Sequence, residues 1–588
     1  MHRVFRGRAL GQTLCLSCRK TAADRSVAFV TRPLQRRPLD VPSFPYSQRR
    51  RAYHAPSSQV RSTFGSHHDT IYALSSANGK AGIAVIRVSG PACTHIYSRL
   101  CPHKKAPKPR YAAVRTLFAP DAEGPEILDS AALVLYFPGP KTVTGEDVLE
   151  LHVHGGSATV KAVLSAISKC ASDGSVRYAE PGEFTKRAFM HDRLDLAQVE
   201  ALSEMLAAET EQQRRAAVRG SSGALGRTYE GWRRSLLKAR AELEALIDFQ
   251  EDQHFDESPA SLVRGVTQKV RDILRSIGVH EMAGQRAELL RNGIQIALLG
   301  PPNVGKSSFM NQVVGREASI VSGESGTTRD VIEASLDIRG YLCTFADTAG
   351  FRTATASGDD DATHSQPIIG AVEEEGIRRA RARATQSDVI IVLASVEERL
   401  PGVHEIRHDM ETLKLAAACP QRLVLVNKID AIPEADLRPL VRNFRDKVLG
   451  KIPGLESTVP TLISCKAARN QGSDQPDPSG VRLVVDELVL AFQNMTSLPA
   501  SLQDLHGVTE RQRQLLVQCR DSLEEYVEVT ESADEGDRAA ADHDLDLTMA
   551  AEHLRYAASC LGRITGRGEA GDVEEILGVI FEKFCVGK

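Results

Sequence analysis

The chain has 588 residues, which is too long for one hydrophobic core and predicts roughly three or four domains. Its hydrophobic fraction of 42% and charged fraction of 25% are ordinary for a globular protein. It has no apolar run of about 18 residues, so no membrane-spanning helix is expected. Thirteen basic residues against two acidic ones give residues 1–62 a charge of +11; because the whole chain is −3, residues 63–588 carry −14.

The Arg-rich, Ser-bearing leader lacks an apolar segment and is typical of a mitochondrial transit peptide. The alternative is a basic tail that binds nucleic acid. Because the rest of the chain is acidic, any contact with RNA must come from a local basic patch. The close pair Cys15 and Cys18 lies in the leader without a partner pair, so zinc is not favoured, and the other cysteines are interpreted as reduced thiols.

Residues 69–160 have a mixed α/β pattern, with strands predicted at 83–88, 131–137 and 148–153. Turn residues follow the first two strands. His152 and His154 lie at the end of the third strand. Since no acidic third ligand occurs at a recognised spacing, we favour a partly exposed strand face over a metal site.

From Pro181 the pattern becomes helical, and helical spacing returns after about residue 510. Apolar residues recur at three- and four-residue intervals, as packed helices require. The positions are Val199, Leu202, Leu206; Trp232, Leu236, Ala239, Leu243, Leu246; and Leu516, Cys519, Leu523, Tyr526. Two helical blocks around a different pattern predict one helical domain with another domain inserted into it.

The inserted domain runs from about residue 291 to 497 and alternates strands with helices. Its strands are predicted at 294–299, 331–338, 341–346, 389–394, 422–426 and 461–464. This alternation predicts a mostly parallel, doubly wound sheet. Residues 353–367, 471–479 and 531–546 are polar or acidic and are predicted to be loops or solvated connectors.

The segment GPPNVGKSS, residues 300–308, stands between a predicted strand and a predicted helix, which is the context of a P-loop. Backbone N–H groups of such a loop and the helix N-terminus bind phosphate oxygens. Lys306 would reach the β- and γ-phosphates, and the Ser307 hydroxyl would ligate Mg²⁺. The predicted nucleotide contacts in the loop are Asn303, Val304, Gly305, Lys306, Ser307 and Ser308.

Four further motifs follow in the order of a GTPase: Thr327-Thr328-Arg329-Asp330, Asp347-Thr348-Ala349-Gly350, Asn427-Lys428-Ile429-Asp430 and Ser464-Cys465-Lys466. Thr328 would complete the Mg²⁺ shell, and Asp347 would hold Mg²⁺ through water. The Asp430 carboxylate can accept two hydrogen bonds from guanine, which adenine cannot offer. Phe351 stands where many small GTPases place a water-orienting Gln. Asn303 could instead help to hold a monovalent cation that offsets charge developing on the phosphates.

The chain resembles the MnmE (TrmE) family of tRNA-modification GTPases, in a mitochondrial eukaryotic form. The resemblance extends from about residue 68 to the C-terminus and is carried by residues 144–156, 181–201, 300–308, 325–330, 347–350 and the terminal FCVGK, 584–588. It implies a leader at 1–64, an α+β domain at 65–191, a helical domain at 192–290 and 498–588, and a Ras-like P-loop G domain at 291–497.

The resemblance also implies specific site residues. The α+β domain would dimerise and bind 5-formyl- or 5,10-methylene-tetrahydrofolate through Arg87, Glu150, Arg193 and Lys588. Asn303, Ser322, Glu324 and Thr327 would hold K⁺, while Ser307 and Thr328 would hold Mg²⁺. Glu373 would orient the attacking water and act in catalysis with Lys306, with Glu374 or Glu375 as alternatives. Cys585 matches the family's C-terminal cysteine, and a structural role for it is left open.

The implied function is GTP hydrolysis coupled to C5 modification of the wobble uridine in mitochondrial tRNAs. An FAD-containing MnmG (GidA) type partner would share the task in the matrix, and the group installed would be carboxymethylaminomethyl or taurinomethyl. The alternative is a ribosome-assembly or translation-associated GTPase switch, but no RNA-binding appendage of the kind that such a switch needs is visible. An inert RNA-binding scaffold is disfavoured by the intact Lys306, Ser307, Thr328 and Asp347.

Overall fold

A computed structural model of the protein describes residues 69–120, 124–171, 175–248, 259–316, 318–320, 334–346, 382, 384–469, 479–535, 547–567, 580, 584 and 587. The predicted transit peptide and the predicted loop at 353–367 lie outside the described residues. Within them, the elements form three groups, each with its own hydrophobic core.

The first group is an α+β domain. Its elements are β1 Thr70–Leu74, β2 Ile83–Ser89, α1 Cys93–Leu100, β3 Ala113–Phe118, β4 Ile127–Phe137, β5 Val148–His154, α2 Ser157–Ser168, β6 Val176–Tyr178 and α3 Glu183–Met190. The sheet order is β3-β4-β5-β2-β1-β6, antiparallel except for the parallel pair β1–β6. The three predicted strands are confirmed as β2, β4 and β5. The strands β1, β3 and β6 were missed because β6 has only three residues, while β1 and β3 do not alternate regularly between buried and exposed positions.

The second group is a helical bundle built from both sides of the inserted domain. Its elements are α4 Leu196–Ala207, α5 Glu211–Gly220, α6 Ala224–Asp248 and α7 Pro259–Asn292, then a 3₁₀ helix Ala500–Gly507, α13 Glu510–Glu535 and α14 Leu547–Thr565. One core contains Leu236 and Leu243 of α6, Leu516 and Tyr526 of α13, and Leu554 of α14, each at most 1% exposed. Among the described residues, no helix is long and apolar enough to cross a membrane.

Two expectations for this bundle were wrong. Leu206, predicted on the buried face of its helix, is 47% exposed because it lies in the last turn of α4, beyond the core contacts of Val199. The acidic connector predicted from residue 531 begins as helix, since α13 continues through Glu535. Glu and Ala favour the helical state, so the sequence there extends the helix.

The third group is the inserted α/β domain. Its elements are β7 Ile294–Leu299, α8 Lys306–Arg316, β8 Ala318–Ile320, β9 Ala334–Ile338, β10 Tyr341–Ala346, β11 Val389–Leu400, β12 Val403–Arg407, α9 Met410–Ala417, β13 Gln421–Asn427, α10 Glu434–Lys447, β14 Thr461–Leu462, α11 Cys465–Arg469 and α12 Val481–Thr496, with short 3₁₀ turns at Ile429–Ala431 and Leu449–Lys451. The order is β14-β13-β11-β7-β10-β9-β8, with β12 paired to β11.

The centre of this sheet is parallel, from β14 to β10, while β8, β9 and β12 pair antiparallel. Helices cover both faces: Phe309 of α8 and Leu488 of α12 belong to one core cluster, and Leu413 of α9 and Phe444 of α10 to the other. The predicted doubly wound sheet is confirmed. The strand predicted at 389–394 is longer, because β11 continues to Leu400 and returns as β12 through a turn at Pro401-Gly402. The strand predicted at 461–464 ends at Leu462.

Candidate functional site

The P-loop joins the end of β7 to the start of α8 and contains backbone conformations that require particular residues. Gly300 has a φ of +140°, and a Cβ there would lie 2.2 Å from the carbonyl oxygen of Leu393 in β11. Gly305 has a φ of +101°, and a Cβ there would lie 2.3 Å from Asn427 Nδ2. Only glycine combines this conformation with such close approach. Asn303, with a φ of +64°, is one of the few non-glycine residues in the left-handed region.

Lys306 begins α8 and folds back over the loop. Its Nζ donates to the carbonyl oxygens of Gly300 at 2.6 Å and Pro301 at 2.8 Å. Burial lowers the pKa of this lysine from its ordinary value. The next two residues, Ser307 and Ser308, lie exposed in the first turn of the helix. The ammonium and the helix N-terminus therefore meet at one side of the loop, where a P-loop binds phosphate.

A second loop, after β13, is tied to the P-loop by one side chain. Asn427 Nδ2 donates to the carbonyl oxygen of Val304 at 2.8 Å. Asn427 Oδ1 accepts from the backbone N–H of Cys465 at 3.2 Å, which lies after β14. Asn427 is 3% exposed, so both contacts are shielded from water. One buried amide thus holds three loops together at the carboxyl edge of the parallel strands, where open α/β sheets bind ligands.

Asp430 and its neighbours lie at the far end of this loop. Asp430 Oδ1 accepts from Ser464 Oγ at 2.5 Å, and Lys466 Nζ lies 4.0 Å from Asp430 Oδ2. The Ser464 hydroxyl also accepts from the backbone N–H of Ala467 at 3.0 Å. These contacts orient the carboxylate that is predicted to accept the two guanine hydrogens.

Glu397 also belongs to this region, and the sequence did not predict it. It lies in the extension of β11, and its carboxylate is 3.1 Å from Lys428 Nζ and 3.2 Å from Arg407. Burial alone would raise the pKa of Glu397, but Lys428, Arg407 and Ser395 outweigh it and lower this pKa. Lys428 has a φ of +63°, so the ion pair helps to fix a strained backbone beside Asn427. The apolar run ends before Glu397, and no sequence pattern indicates its partner.

A separate group of polar side chains lies on the sheet of the α+β domain. Arg87 and Glu150 stand opposite each other on β2 and β5, and both Nε and a terminal nitrogen of Arg87 donate to Glu150 Oε1 at 3.0 and 2.9 Å. His152 Nε2 is buried and lies 3.5 Å from Glu150 Oε2, a distance at the outer limit of a hydrogen bond. A ligand that supplies one acceptor or donor here would satisfy a group that is otherwise costly to bury.

The C-terminal end of the chain reaches this same sheet. Ser75 Oγ donates to the carbonyl oxygen of Gly587 at 2.8 Å, and a Cβ on Gly587 would lie 2.1 Å from the Leu74 carbonyl. Leu74 pairs with Ile86, the neighbour of Arg87. Arg193 is held differently, since its Nε donates to the Thr142 carbonyl at 2.9 Å.

Helix α3 is anchored to the α+β domain by a buried ion network. Arg187 lies 2.8 Å from Asp69, 3.1 Å from Glu146 and 3.0 Å from Glu183, and its side chain is 10% exposed. Burial alone would raise the pKa values of Asp69 and Glu183, but Arg177 and Arg187 outweigh it and hold both below their ordinary values. The network therefore holds α3, the last element before the helical bundle, against the α+β domain.

Comparison with known proteins assigns the chain to a family. Residues 70–193 match the family described as GTP-binding protein TrmE N-terminus, and residues 196–585 match the MnmE helical domain. The tRNA modification GTPase MnmE of Parvibaculum lavamentivorans is 39% identical, over 88% of this chain and 100% of that protein. The chain belongs to the MnmE family. The predicted family is confirmed.

Eukaryotic members are also similar to this MnmE-family chain. The human mitochondrial 5-taurinomethyluridine-[tRNA] synthase subunit GTPB3 is 37% identical, over 88% of this chain and 93% of that protein. Among solved structures, the G domain of the T. maritima FeoB iron transporter matches 34% of this chain and 98% of that chain, with 18% identity and a TM-score of 0.18.

The structure thus brings together part of the predicted MnmE-type sites. Asn303 to Ser308, Asn427, Lys428, Asp430 and Ser464 to Lys466 form one edge of the G domain. Other predicted residues lie outside the described ones: Ser322, Glu324, Thr327, Thr328, Asp347, Thr348, Ala349, Gly350, Glu373, Cys585 and Lys588. His154 Nδ1 lies 3.0 Å from Asp129, and within the described residues no group of three His, Cys, Asp or Glu could hold a metal ion.

Proposed function

We propose that this MnmE-family chain hydrolyses GTP and uses the reaction in the C5 modification of wobble uridine in mitochondrial tRNAs. The observation that carries the proposal is the buried Asn427 amide, which joins the phosphate-binding loop to the base-binding loop within 3.2 Å contacts. This arrangement belongs to a chain that matches tRNA modification GTPases over 88% of its length. The group installed is of carboxymethylaminomethyl or taurinomethyl type, and the GTPB3 relatives support the latter.

The residues of the nucleotide site have separate roles in the proposed reaction. Lys306 binds the β- and γ-phosphates, and Asp430 selects guanine through two hydrogen bonds. The exposed side-chain oxygens of Ser307 and Asn303 fit hard cations, which prefer oxygen ligands. Ser307 and Thr328 would hold Mg²⁺, while Asn303, Ser322, Glu324 and Thr327 would hold K⁺. Bound cations supply positive charge that offsets the charge developing on the phosphates. Asp347 would hold Mg²⁺ through water, and Glu373 would orient the attacking water.

The α+β domain, at about 65–191, is proposed to bind a formyl- or methylene-tetrahydrofolate and to dimerise. Arg87 and Glu150 would contact the folate together with Arg193 and Lys588. The Arg87–Glu150 pair, the adjacent His152 and the contact of Gly587 with Ser75 support a ligand site on this sheet. The helical domain lies at 192–290 and 498–588, and an FAD-containing MnmG-type partner would share the modification reaction. The names of the GTPB3 relatives support a mitochondrial location and a role as one subunit of an assembly.

The decisive experiment is nucleoside mass spectrometry of mitochondrial tRNA from cells that lack the native protein. Cells rescued with the full chain should regain the C5-modified wobble uridine, and cells rescued with Lys306→Ala should not. If both rescues leave the wobble uridine unchanged while ribosome assembly recovers with the full chain alone, the ribosome-assembly switch is correct instead.

A kinetic experiment tests the proposed cation site. GTP turnover by the full chain should be faster in KCl than in NaCl, and Asn303→Ala should remove the difference while GTP still binds. Glu373→Ala should abolish turnover without abolishing binding. Equal rates in the two salts would rule out a K⁺ site that includes Asn303.

A further inference from the structure

Three arginines in the helical bundle converge on one carboxylate oxygen. Arg233, Arg234 and Arg567 lie 3.5, 3.2 and 3.5 Å from Glu230 Oε1. Arg233 and Arg234 come from α6, while Arg567 follows α14, so tertiary packing creates the group. Glu230 Oε2 is buried and accepts no hydrogen bond within the described residues. A single carboxylate therefore faces three guanidinium groups.

A fourth arginine lies beside this group. Arg227 and Arg567 are both close enough to Asp195 to stabilise its charged form. Burial nevertheless raises the pKa of Asp195, and its Oδ1 is already used to cap α4 through the backbone N–H of Gln198 at 2.8 Å. We call Arg227, Arg233, Arg234 and Arg567 the arginine cluster. With Glu230 and Asp195 counted, it keeps an excess of two positive charges.

The excess charge is accessible and continues along one helix face. The side chains of Arg234 and Arg567 are 71% and 55% exposed, and Lys238 is 78% exposed. Arg227, Arg234 and Lys238 are spaced by seven and four residues, which places them on one face of α6 over about 16 Å. Residues 211–248 contain eight basic and five acidic residues, and Lys238 lies 4.0 Å from Glu242, in a chain whose residues 63–588 carry −14. This face of α6 is therefore locally basic, although residues 63–588 are acidic overall.

We propose that the arginine cluster and Lys238 form a docking surface for the phosphate backbone of the tRNA. Guanidinium groups bind phosphate oxygens through paired N–H donors. Three guanidinium groups that share one carboxylate have more N–H donors than this carboxylate can accept. The length of the stripe suits several successive phosphates rather than one isolated anion. Backbone contacts of this kind position a nucleic acid without reading its sequence. The inference rests on the proposed function in tRNA modification.

The structure offers a matched control on a different helix. Arg438 on α10 pairs with Glu434 one turn earlier at 2.6 Å, just as Arg234 pairs with Glu230, and both Arg438 and Arg442 are exposed. The spacing of Arg438 and Arg442 equals that of Arg234 and Lys238. The double variants R234E/K238E and R438E/R442E therefore make the same change of charge on two surface helices.

The experiment measures binding of the full chain to a fluorescent tRNA transcript with uridine at the wobble position, across a range of KCl concentrations. R234E/K238E should weaken binding by about tenfold or more and lower the slope of log affinity against log salt by about 2, because two phosphate contacts are lost. R438E/R442E should bind as wild type. GTP turnover without tRNA should be equal in all three proteins, which shows that they are folded.

Three other results would overturn the docking surface. If R234E/K238E and R438E/R442E bind tRNA with the same affinity and salt slope, the docking surface is refuted and the proposed function is not. If the wild-type chain does not bind tRNA at all, the docking surface is also refuted, while the proposed function still depends on the rescue experiment with Lys306→Ala. In a parallel assay, inorganic phosphate is compared with chloride at equal ionic strength. If phosphate raises the Tm of wild type but not of R234E/K238E, while tRNA affinity is unchanged, the cluster binds small anions and the RNA surface is overturned.

Discussion

The side-chain amide of Asn427 donates to the main-chain carbonyl of Val304 over 2.8 Å, although the two residues are 123 positions apart. The contact crosses from the loop after β13 to the centre of the P-loop. Because Asn427 also accepts a hydrogen bond from the Cys465 N–H, a displacement of the P-loop would shift the loop after β13, and the reverse. The guanine-binding and phosphate-binding loops therefore form one unit.

Replacement of Asn427 tests this unit. Asn427→Ala leaves the Val304 carbonyl and the Cys465 N–H buried without partners, which costs about 2 kcal/mol and should lower GTP affinity by about 30-fold. Titration with a fluorescent GTP analogue measures the effect. Asn443→Ala, at an exposed position on α10, is the control and should bind GTP as wild type. Equal affinity in both variants would show that the amide does not organise the site.

Base selection by Asp430 is tested by changing one of its oxygens. Asp430→Asn replaces an acceptor with a donor, so it should weaken GTP by about 100-fold and improve binding of xanthosine triphosphate, whose base carries the complementary oxygen. Competition between the two nucleotides gives the ratio directly. Asp436→Asn, on the exposed face of α10, should leave the preference for GTP intact. An unchanged ratio in Asp430→Asn would contradict the assignment of this carboxylate to guanine.

The network around Arg187 predicts a large effect on local stability. Arg187→Met leaves Asp69, Glu146 and Glu183 without their shared partner, and removing one member of a buried ion pair costs about 3–5 kcal/mol. Hydrogen exchange of β1, residues Thr70–Leu74, should accelerate accordingly. Arg214→Met removes an exposed arginine paired with Glu211, and exchange in β1 should not change. If β1 exchanges as slowly in Arg187→Met as in wild type, the network does not hold α3 against the sheet.

His280 predicts a pH dependence that one fluorophore can report. Burial lowers the pKa of His280 from 6.5 to about 4, and its ring lies 4.9 Å from that of Trp232, the only tryptophan in the chain. Since protonated imidazole quenches indole, fluorescence of the native protein should stay constant from pH 8 to about 5 and fall near pH 4. A transition near pH 6.5 would show that His280 is not shielded from water.

The same shift has a consequence for stability. A histidine whose pKa is lower in the folded than in the unfolded state stabilises the fold fully above pH 6.5 and loses that contribution as the pH falls toward 4. The loss amounts to about 3 kcal/mol for a shift of this size. Thermal unfolding followed at Trp232 should therefore show a lower Tm at pH 5 than at pH 7.5. His280→Gln should show a smaller difference between these two pH values.

The sequence by itself determined the order of the motifs and the elements that carry them. Strands β7 and β10 were predicted to the residue, because an apolar run bounded by turn residues is a local pattern. The helical seam on α6 followed in the same way from its three- and four-residue spacing. Lys306, Asn427 and Asp430 were recognised because their motifs depend on neighbouring residues.

Only the tertiary structure decided which of these residues meet. The contact of Asn427 with Val304, the pairing of Glu397 with Lys428 and the approach of Arg567 to Glu230 join segments that are separated in the chain. Periodicity and propensity reach only a few residues along the backbone. Long-range contacts depend on how packed helices and strands place their ends, and that placement is a property of the whole core.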